Sequence, residues 1–592
     1  MISTMRQDNN AVKIALKDHP IFRKPKGPVV QIILDGFGYG DLGFEYNVVT
    51  PTYVPAFFNL FHPDRPHCAV IGASARYVGL DNDVVGNSEV GHNSVGAGQY
   101  KDQGGRLVNQ GVQSGSLMKS PVWNDHVIGP ILQSQSTSSQ RTLHLLGLIQ
   151  DTTIIHSDVR HMLALIDDAA AKGVRSLAIH GLTDGRDDPD RHAVDLFRQL
   201  EEKCAAINKK HSGYHYRVAS GGGRMRMTMD RYEDNWNMVK LGWDAHVLGR
   251  VNTSTGGVYT RKASDAIAAY YVNPDPKFGE IDQYVYPFVV VDEHGQPIGT
   301  IQDGDSVVFT NFRGDRAIEI SKAFEDPSFN VFDRERMPKV QYAGMMLYDG
   351  DNNIPQQFLV TAPGYTNTMA EILTSNGVAM FAISETAKFG HVTYFADGNR
   401  SNVKERYTYK QIKGDPVEMY VSHPQMKVAE ITHQAIDYIR SGRFRFGRIN
   451  LANPDMIGHT GNWEAVKHAM ASVNLQIEML LKAIQEAEGI ALVFADHGNA
   501  DEMVRRKKDG SIEMREGKPV PNMSHTMAPV PLLVVDASGQ QIPFRLDTTD
   551  AVPEKLRGDV PGAGLLNVAA TTLNLMGYEA PEFYWPSLLR SR

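Results

Sequence analysis

Side chains that could bind metal ions occur in two groups near opposite ends of the chain. Asp35 and Ser88 form the first group, and the second comprises Asp455, His459, Asp496, His497 and His525. Imidazole and carboxylate ligands together suit divalent ions such as zinc and manganese. If the two groups meet in the fold, they would hold two such ions, and the pattern predicts a two-metal enzyme that acts on phosphate.

The positions of two aspartates predict how the groups meet. Asp35 and Asp496 each follow an apolar run, Val-Val-Gln-Ile-Ile-Leu and Ala-Leu-Val-Phe-Ala. Such runs are typical of buried parallel strands, and open α/β sheets place their sites at the carboxyl ends of these strands. Asp455 and His459 have the four-residue spacing of one face of a helical turn, although a surface or capping pair would share that spacing.

Ser88 is the candidate nucleophile, in the segment Gly-Asn-Ser-Glu-Val-Gly-His. A hydroxyl is a poor nucleophile at its ordinary pKa, so it needs a neighbouring base or metal ion. A serine that enters a helix would also lie beside free backbone N–H groups, which bind phosphate. The alternative is that Ser88 is only the helix N-cap, and spacing does not separate the two.

Arginine-bearing turns follow three expected strands in the middle of the chain. They contain Arg186, Arg224, Arg231, Arg313 and Arg316. The guanidinium group matches phosphate and carboxylate in shape, so arginines at several strand ends would form an anion clamp. Any one of them could instead be a solvated surface residue.

The expected elements predict an α/β protein with one domain inserted in another. Strands are expected at 28–34, 143–148, 176–180, 216–220 and 306–310, and helices at 158–172 and 463–487. Because metal ligands flank the middle region, residues 28–105 and 356–592 are expected to form a discontinuous metal-binding domain. Residues 106–355 would be the insertion, 349–355 the return linker, and 1–27 a polar N-terminal extension.

Composition narrows the class of protein further. A net charge of −8 argues against a nucleic-acid or anionic-membrane partner, and no apolar stretch approaches membrane-spanning length. Two cysteines, Cys68 and Cys204, are too few for a disulfide framework and are compatible with a reducing compartment. We therefore expect a cytoplasmic enzyme with a small-molecule substrate.

Five motifs together resemble the cofactor-independent (2,3-bisphosphoglycerate-independent) phosphoglycerate mutases of the alkaline phosphatase superfamily. They are Asp35-Gly-Phe-Gly, Gly86-Asn-Ser-Glu-Val-Gly-His, Asp184-Gly-Arg-Asp, Asn453-Pro-Asp-Met-Ile-Gly-His-Thr-Gly and Ala495-Asp-His-Gly-Asn. The resemblance covers the chain from about residue 28 onward. It implies an alkaline-phosphatase-like parallel-sheet domain that carries an inserted α/β substrate-clamp domain, in a monomer.

The resemblance also implies a role for each site residue. One metal ion, most often Mn²⁺ with Co²⁺ or Mg²⁺ as alternatives, would be bound by Asp455, His459 and His525, and a second by Asp35, Ser88, Asp496 and His497. The residues implied to hold the phosphoglycerate are His156, Arg186, Asp187, Arg224, Arg231, Arg313, Arg316 and Lys388. Two segments match the family pattern loosely, 151–158 around His156 and the loop 396–400.

The implied reaction interconverts 3-phosphoglycerate and 2-phosphoglycerate in glycolysis and gluconeogenesis. Ser88 would take the phosphoryl group as a phosphoserine and return it to the other hydroxyl, with Lys388 offsetting charge and Asp187, or His156, moving the proton. Keeping water out predicts that the domains close on the substrate. A hydrolytic phosphatase, a mutase for another sugar phosphate, or an inactive metal-binding protein remain alternatives.

Overall fold

The chain folds into two compact units in the computed structural model, which describes residues 14–80, 82, 84–135, 141–151, 155–230, 235–349, 353–361, 365–400, 405–507, 509–515, 517–539 and 543–591. The first unit contains the described residues of 1–102 and 363–592, and the second contains those of 103–362. The second unit is therefore an insertion in the first. No helix within the described ranges is both long enough and apolar enough to cross a membrane.

A seven-stranded sheet forms the centre of the first unit. Its strands, in spatial order, are Tyr407–Ile412, Met380–Glu385, Phe446–Leu451, Val29–Leu34, Ile490–Phe494, Val530–Asp536 and Cys68–Ile71. The first five are parallel, and the last two are antiparallel to their neighbours. Val29–Leu34 is fully buried in the middle, as its apolar run predicts.

The α-helices of the first unit come from the chain segments before and after the inserted unit. The α-helices of the first unit are Pro55–Phe58, Ser88–Ala97, Met369–Ser375, Val428–Arg440, Asn453–Gly458, Trp463–Glu486 and Asn567–Leu575. The long helix Trp463–Glu486 is capped by the Asn462 side chain, which accepts from Ala465 N, and buries Val466 and Val473 completely. Its bounds agree with the expected helix at 463–487.

The second unit has a separate eight-stranded sheet. Its strands, in spatial order, are Phe358–Val360, Gln341–Met346, Ser306–Phe309, Leu143–Ile149, Ser176–Thr183, His215–Gly223, Phe288–Val290 and Val258–Thr260. All neighbouring pairs are parallel except His215–Gly223 with Phe288–Val290. The α-helices are Gly104–Gln113, Gly129–Ser134, Val159–Ala171, Ala193–Lys210, Trp236–Trp243, Ala263–Val272 and Ile318–Glu325, with π-helical turns at Val122–Ile128 and Asp244–Leu248.

The boundaries between the units differ by a few residues from those expected from the sequence. Phe358–Val360, which lies beyond the expected linker at 349–355, pairs with Gln341–Met346 and completes the second sheet. The helix Gly104–Gln113 likewise begins the second unit just before the expected boundary at 105. The turn-forming residues at 349–355, which the sequence suggested as a linker, therefore lie inside the second unit.

Residues 14–27 belong to the first unit rather than extending from it. Asp18 forms a β-bridge with Tyr578, and Leu16 N donates to the Asn376 side chain. Gly27 N donates to Glu488 O at 3.0 Å. The segment therefore lies along the surface of the first unit, and Phe22 is buried in the core of that unit.

Candidate active site

Asp35 and Asp496 lie side by side at one edge of the first sheet. The strands before them are parallel neighbours in a register that pairs Ile33 with Phe494. Both carboxyl groups are completely buried, and Asp496 Oδ1 accepts from Gly36 N at 3.3 Å. Gly36 has φ +77°, and a Cβ there would lie 2.7 Å from the Asp455 backbone, so only glycine allows this close approach.

Ser88 is the first residue of its helix, and Asn87 is the N-cap. The Asn87 side chain accepts from Glu89 N and Val90 N, so the Ser88 hydroxyl has no capping role. Ser88 Oγ lies 2.9 Å from His497 Nε2 and 3.3 Å from Asp35 Oδ1, and it also contacts Lys388 Nζ. Its surroundings therefore suit a reactive group rather than a cap.

Asp455, His459 and His525 bring three ligand atoms into one small triangle. Asp455 Oδ1 lies 3.1 Å from His459 Nε2 and 3.2 Å from His525 Nε2, and the two nitrogens are 3.1 Å apart. Atoms that coordinate a tetrahedral ion at about 2 Å are separated by roughly 3.3 Å. Asp455 is 1% exposed, which excludes a surface pair with His459.

Backbone carbonyls fix the tautomers of the three site histidines. The Nδ1 atoms of His459, His525 and His497 contact the carbonyl oxygens of Met523, Gly86 and Gly498 at 2.6, 2.9 and 3.2 Å. Since a carbonyl only accepts, each Nδ1 donates, and a neutral ring then keeps its lone pair on Nε2. The facing lone pairs of His459 and His525 repel each other unless a cation lies between them, so the donor set fits a metal ion.

A second set of ligand atoms lies beside the first. Asp35, Asp496 and His497 offer atoms within 4.8 Å of one another, and so do Asp455, His497 and His525. His497 Nε2 is 3.6 Å from both Asp35 Oδ1 and Asp496 Oδ2. The structure thus brings together all seven residues that the sequence singled out as metal ligands.

Crowding of carboxylates perturbs the proton affinities of this cluster. Burial, followed by the charge of Asp496, raises the pKa of Asp35 to about 6. Burial alone would lower the pKa of Lys388, but Asp35 and Asp455, each 2.7 Å from its Nζ, outweigh it and raise the pKa above its usual value. These two carboxylates therefore favour the charged form of Lys388, whose ammonium group contacts the Ser88 hydroxyl.

Two residues at this site were missed in the sequence. His92, one helical turn after Ser88, donates from Nδ1 to Ser88 O at 2.8 Å and lies 3.3 Å from Asp496 Oδ2. Asn450 donates to Asp35 Oδ2 at 2.7 Å and lies 3.2 Å from His92 Nε2. Two features of the sequence could have identified them. His92 is four residues after Ser88 and so lies on the same helix face, and Asn450 is an amide within the apolar strand Phe446–Leu451.

Arg224 is the centre of the cluster in the second unit. Although completely buried, it donates from Nη1 to Asp187 Oδ2 at 2.8 Å and to Asp184, and from Nη2 to His156 Nε2 at 2.7 Å. Asp184 also accepts from the backbone N–H groups of Asp187 and Asp188. The turn after Ser176–Thr183 is thus folded around this guanidinium group.

The remaining arginines of the proposed clamp lie at other strand ends. Arg313 Nε is 3.2 Å from Asp315 Oδ1, and Arg316 donates to Met229 O at 2.6 Å. Arg186, half-buried, is near enough to His156 to affect its pKa. Arg231 lies outside the described residues.

His156 is held as a neutral hydrogen-bond acceptor. Burial first, and then the charges of Arg224 and Arg313, keep its pKa well below the usual range. Its Nε2 already accepts from Arg224, so that lone pair is occupied. Asp187 Oδ2 also accepts from Arg224, but a carboxylate has a second oxygen, so Asp187 is better suited than His156 to exchange a proton with substrate.

Comparison with known proteins assigns the family. The family described as BPG-independent PGAM N-terminus matches residues 108–350. A 2,3-bisphosphoglycerate-independent phosphoglycerate mutase from Trypanosoma brucei brucei is 42% identical over 569 residues, covering 95% of this chain and 98% of the relative. The chain belongs to the 2,3-bisphosphoglycerate-independent phosphoglycerate mutase family. A relative of the same name from Mesembryanthemum crystallinum is 40% identical and covers 97% of this chain and 98% of its own length.

A solved structure shows the same fold. The Leishmania mexicana phosphoglycerate mutase, studied at low cobalt concentration, has a TM-score of 0.89 and 40% identity, with 98% of this chain and 100% of that chain covered. The family and the α/β fold expected from the sequence are confirmed. The enzyme class is confirmed as well, since the family is one of phosphoglycerate mutases.

Proposed function

We propose that this protein interconverts 3-phosphoglycerate and 2-phosphoglycerate without 2,3-bisphosphoglycerate, by way of a phosphoserine on Ser88. The observation that carries the proposal is the environment of Ser88 Oγ, which contacts Lys388 Nζ, His497 Nε2 and Asp35 Oδ1. In the first step the Oγ–P bond forms while the bond from phosphorus to the substrate oxygen breaks. In the second step the phosphoryl group passes to the other glycerate hydroxyl.

Two divalent metal ions, Mn²⁺ by preference, are proposed for the first unit. Asp455, His459 and His525 would hold one ion, and Asp35, Ser88, Asp496 and His497 the other. The facing Nε2 lone pairs of His459 and His525 support the first ion, and the clustered ligand atoms of Asp35, Asp496 and His497 support the second. Such ions, when bound, favour the ionised hydroxyl and offset charge on a transferring phosphoryl group. Co²⁺ and Mg²⁺ are the alternatives to test.

Lys388 is proposed to bind the phosphoryl oxygens rather than to move a proton. Its ammonium group is held against Asp35 and Asp455 at 2.7 Å, and these carboxylates keep it charged. A fixed cation beside Ser88 Oγ stabilises the negative charge that builds up during phosphoryl transfer. His92 and Asn450 orient the neighbouring groups Asp496 and Asp35.

The residues of the second unit are proposed to hold the glycerate between the two steps. Arg186, Arg313 and Arg316 would bind its carboxylate, or the phosphate of the intact phosphoglycerate, as would Arg224 and Arg231, and His156 would anchor Arg224. Asp187 is proposed to take the proton from the accepting hydroxyl and to return one to the departing oxygen. Retention of glycerate by these residues distinguishes a mutase from a phosphatase.

We infer that the protein is a cytoplasmic monomer that acts on a small molecule and binds neither nucleic acid nor a membrane. The net charge of −8 disfavours polyanionic partners, and the free cysteines Cys68 and Cys204 are compatible with a reducing compartment.

An enolase-coupled assay tests the proposal. Metal-stripped protein should regain activity with added Mn²⁺, Co²⁺ or Mg²⁺, and added 2,3-bisphosphoglycerate should make no difference. Release of inorganic phosphate from 3-phosphoglycerate faster than formation of 2-phosphoglycerate would indicate a phosphatase. Absence of turnover in protein that binds manganese would indicate an inactive metal-binding protein.

A further inference from the structure

A continuous row of hydrogen-bonded side chains crosses the interior of the second unit. The contacts between successive members measure 3.0, 2.9, 2.6, 2.7 and 3.0 Å, and each residue is at most 4% exposed. We call it the buried histidine chain; its members, in order, are Asp305, His144, His180, Ser220, His246 and Thr228. The buried histidine chain begins at Asp305, directly before the strand Ser306–Phe309, and ends at Thr228 in the loop that follows His215–Gly223.

Asp305 determines the direction of the hydrogen bonds at the start of the chain. Its carboxylate accepts from Thr142 N at 2.7 Å and from Gln302 N at 2.8 Å, and it also accepts from His144 Nε2. A neutral His144 therefore has its lone pair on Nδ1. That atom accepts from His180 Nε2, which fixes the tautomer of the second histidine as well.

The same alternation continues to the end of the chain. His180 Nδ1 accepts from the Ser220 hydroxyl, and Ser220 Oγ accepts from His246 Nδ1. Burial is the largest cause of the pKa shifts of both histidines. The pKa of His180 lies well below its usual value and that of His246 is lowered to about 3, so both rings stay neutral. His246 Nε2 is left as an acceptor, and the Thr228 hydroxyl must donate to it.

Thr228 needs this support because its backbone is strained. It has φ +68°, and Met229 N donates to Met227 O across it at 2.7 Å, which makes Thr228 the centre of a γ-turn. A β-branched residue rarely adopts a positive φ, because its side chain then crowds the neighbouring backbone. Gly242 packs so closely that a Cβ there would lie 2.2 Å from Thr228 Oγ1.

The γ-turn places the carbonyl group of the next residue, Met229, against Arg316 of the proposed clamp. Arg316, which is 5% exposed, donates from Nη1 to Met229 O at 2.6 Å. We propose that the buried histidine chain is a positioning device that holds Thr228 in the γ-turn and thereby fixes Arg316 for the substrate. The members of the chain are positioning residues, since none of them needs to touch the reacting atoms.

The inference rests on the proposed role of Arg316 in holding phosphoglycerate. A chain that served stability alone would not need a strained turn at its end, because a polar network is satisfied wherever each donor meets an acceptor. Here the last donor is the hydroxyl of the residue whose backbone is strained, directly before the carbonyl that binds Arg316. Loss of that hydroxyl should therefore change substrate affinity as well as stability.

A matched pair of substitutions at Thr228 tests the proposal. Thr228→Val keeps the shape and the β-branch but removes the hydroxyl, whereas Thr228→Ser keeps the hydroxyl. Binding of 3-phosphoglycerate is measured by calorimetry in a Ser88→Ala background, and KM and kcat are measured in otherwise unaltered protein. We expect about tenfold weaker binding and a similar rise in KM for Thr228→Val, with kcat changed less, and a Thr228→Ser protein within about twofold of the parent.

A break in the middle of the chain provides a second test if Thr228→Val does not fold. Ser220→Ala interrupts the chain without touching the turn, and Ser220→Thr preserves the hydroxyl. Weaker 3-phosphoglycerate binding with Ser220→Ala, restored by Ser220→Thr, supports the proposal. A lower melting temperature with unchanged affinity in both Ser220→Ala and Thr228→Val overturns it.

Substitution of Arg316 separates failure of this inference from failure of the proposed function. If Arg316→Ala leaves 3-phosphoglycerate affinity unchanged, the clamp itself is wrong. If Arg316→Ala weakens binding but Thr228→Val does not, only the positioning proposal fails. In the Arg316→Ala background, Thr228→Val should weaken binding by less than twofold, because residues that act through one group are not additive.

Discussion

The two clusters of buried charge in this protein are built on opposite principles. In the first unit, the carboxylates of Asp35 and Asp455 contact one ammonium group, that of Lys388, and the imidazole lone pairs of His459 and His525 face each other. In the second unit, Arg224 is matched by Asp184, Asp187 and His156 within hydrogen-bonding distance. The proposed metal ions would bring further cations to the first cluster, whereas Arg224 in the second is paired by side chains of the same unit.

This difference indicates how each cluster is kept in shape. Buried charges are costly unless they are compensated, and the metal ions proposed for the first cluster would hold the geometry of its ligands. Ion pairs and hydrogen bonds within the chain hold the second cluster before any substrate arrives. Preorganisation of that kind lowers the cost of binding a small anion.

The largest expected effect is at Ser88. Ser88→Ala removes the group that accepts the phosphoryl, and we expect mutase activity to fall by at least about 10⁴-fold. Ser94→Ala is the matched control, since Ser94 is equally buried on the same helix and its Oγ makes no hydrogen bond to the described residues. The enolase-coupled rate is the measurement, and residual activity near that of the parent would exclude a phosphoserine at this position.

The second effect separates the two candidates for proton transfer. Asp187→Asn should lower kcat by roughly 10²–10³-fold, because an amide cannot exchange the proton. His156→Gln retains an acceptor for Arg224 and should lower kcat by less, since His156 Nε2 is already occupied. The reverse order in steady-state kinetics would assign the proton to His156.

A third, intermediate effect distinguishes the clusters by their response to metal. Manganese at 100 times its dissociation constant should stabilise the metal-free protein by about 2.7 kcal/mol, seen as a rise in the unfolding midpoint. His459→Ala should remove much of this rise, because the ligand triangle loses a corner. Arg224→Lys should leave it intact, and an equal loss in both variants would argue against metal binding confined to the first unit.

The smallest effect concerns pH. The native pKa of His246 is lowered to about 3 by burial, whereas an unfolded histidine titrates near 6.5. The unfolded state therefore binds more protons below pH 6.5, and the free energy of unfolding falls as pH decreases. Between pH 7 and 5.5 His246 should account for a loss of about 1 kcal/mol.

Comparison with a variant isolates this contribution. His246→Gln can still donate to Ser220 and accept from Thr228, but it does not titrate. Its unfolding free energy, measured in urea, should depend less steeply on pH than that of the parent. Equal slopes would mean that His246 takes up its proton in the native state.

Several parts of the fold were predictable because local sequence determines them. The apolar runs before Asp35 and Asp496 predicted two buried strands, and the 3.6-residue periodicity predicted the helix Trp463–Glu486. The return boundary was misplaced because the turn residues around 349–355 precede one more strand, Phe358–Val360. Turn composition shows where the chain reverses but not which sheet it joins.

The sequence by itself determined the types of ligand, the candidate nucleophile and the family, because these depend on short motifs that can be read locally. Only the tertiary structure decided that Asn87 rather than Ser88 caps the helix and that His156 is an occupied acceptor. It alone joined His144, His180 and His246 into one chain that ends at a strained turn. Hydrogen-bond partners come from distant strands, and tautomers and proton affinities depend on those partners and on burial, which no local pattern specifies.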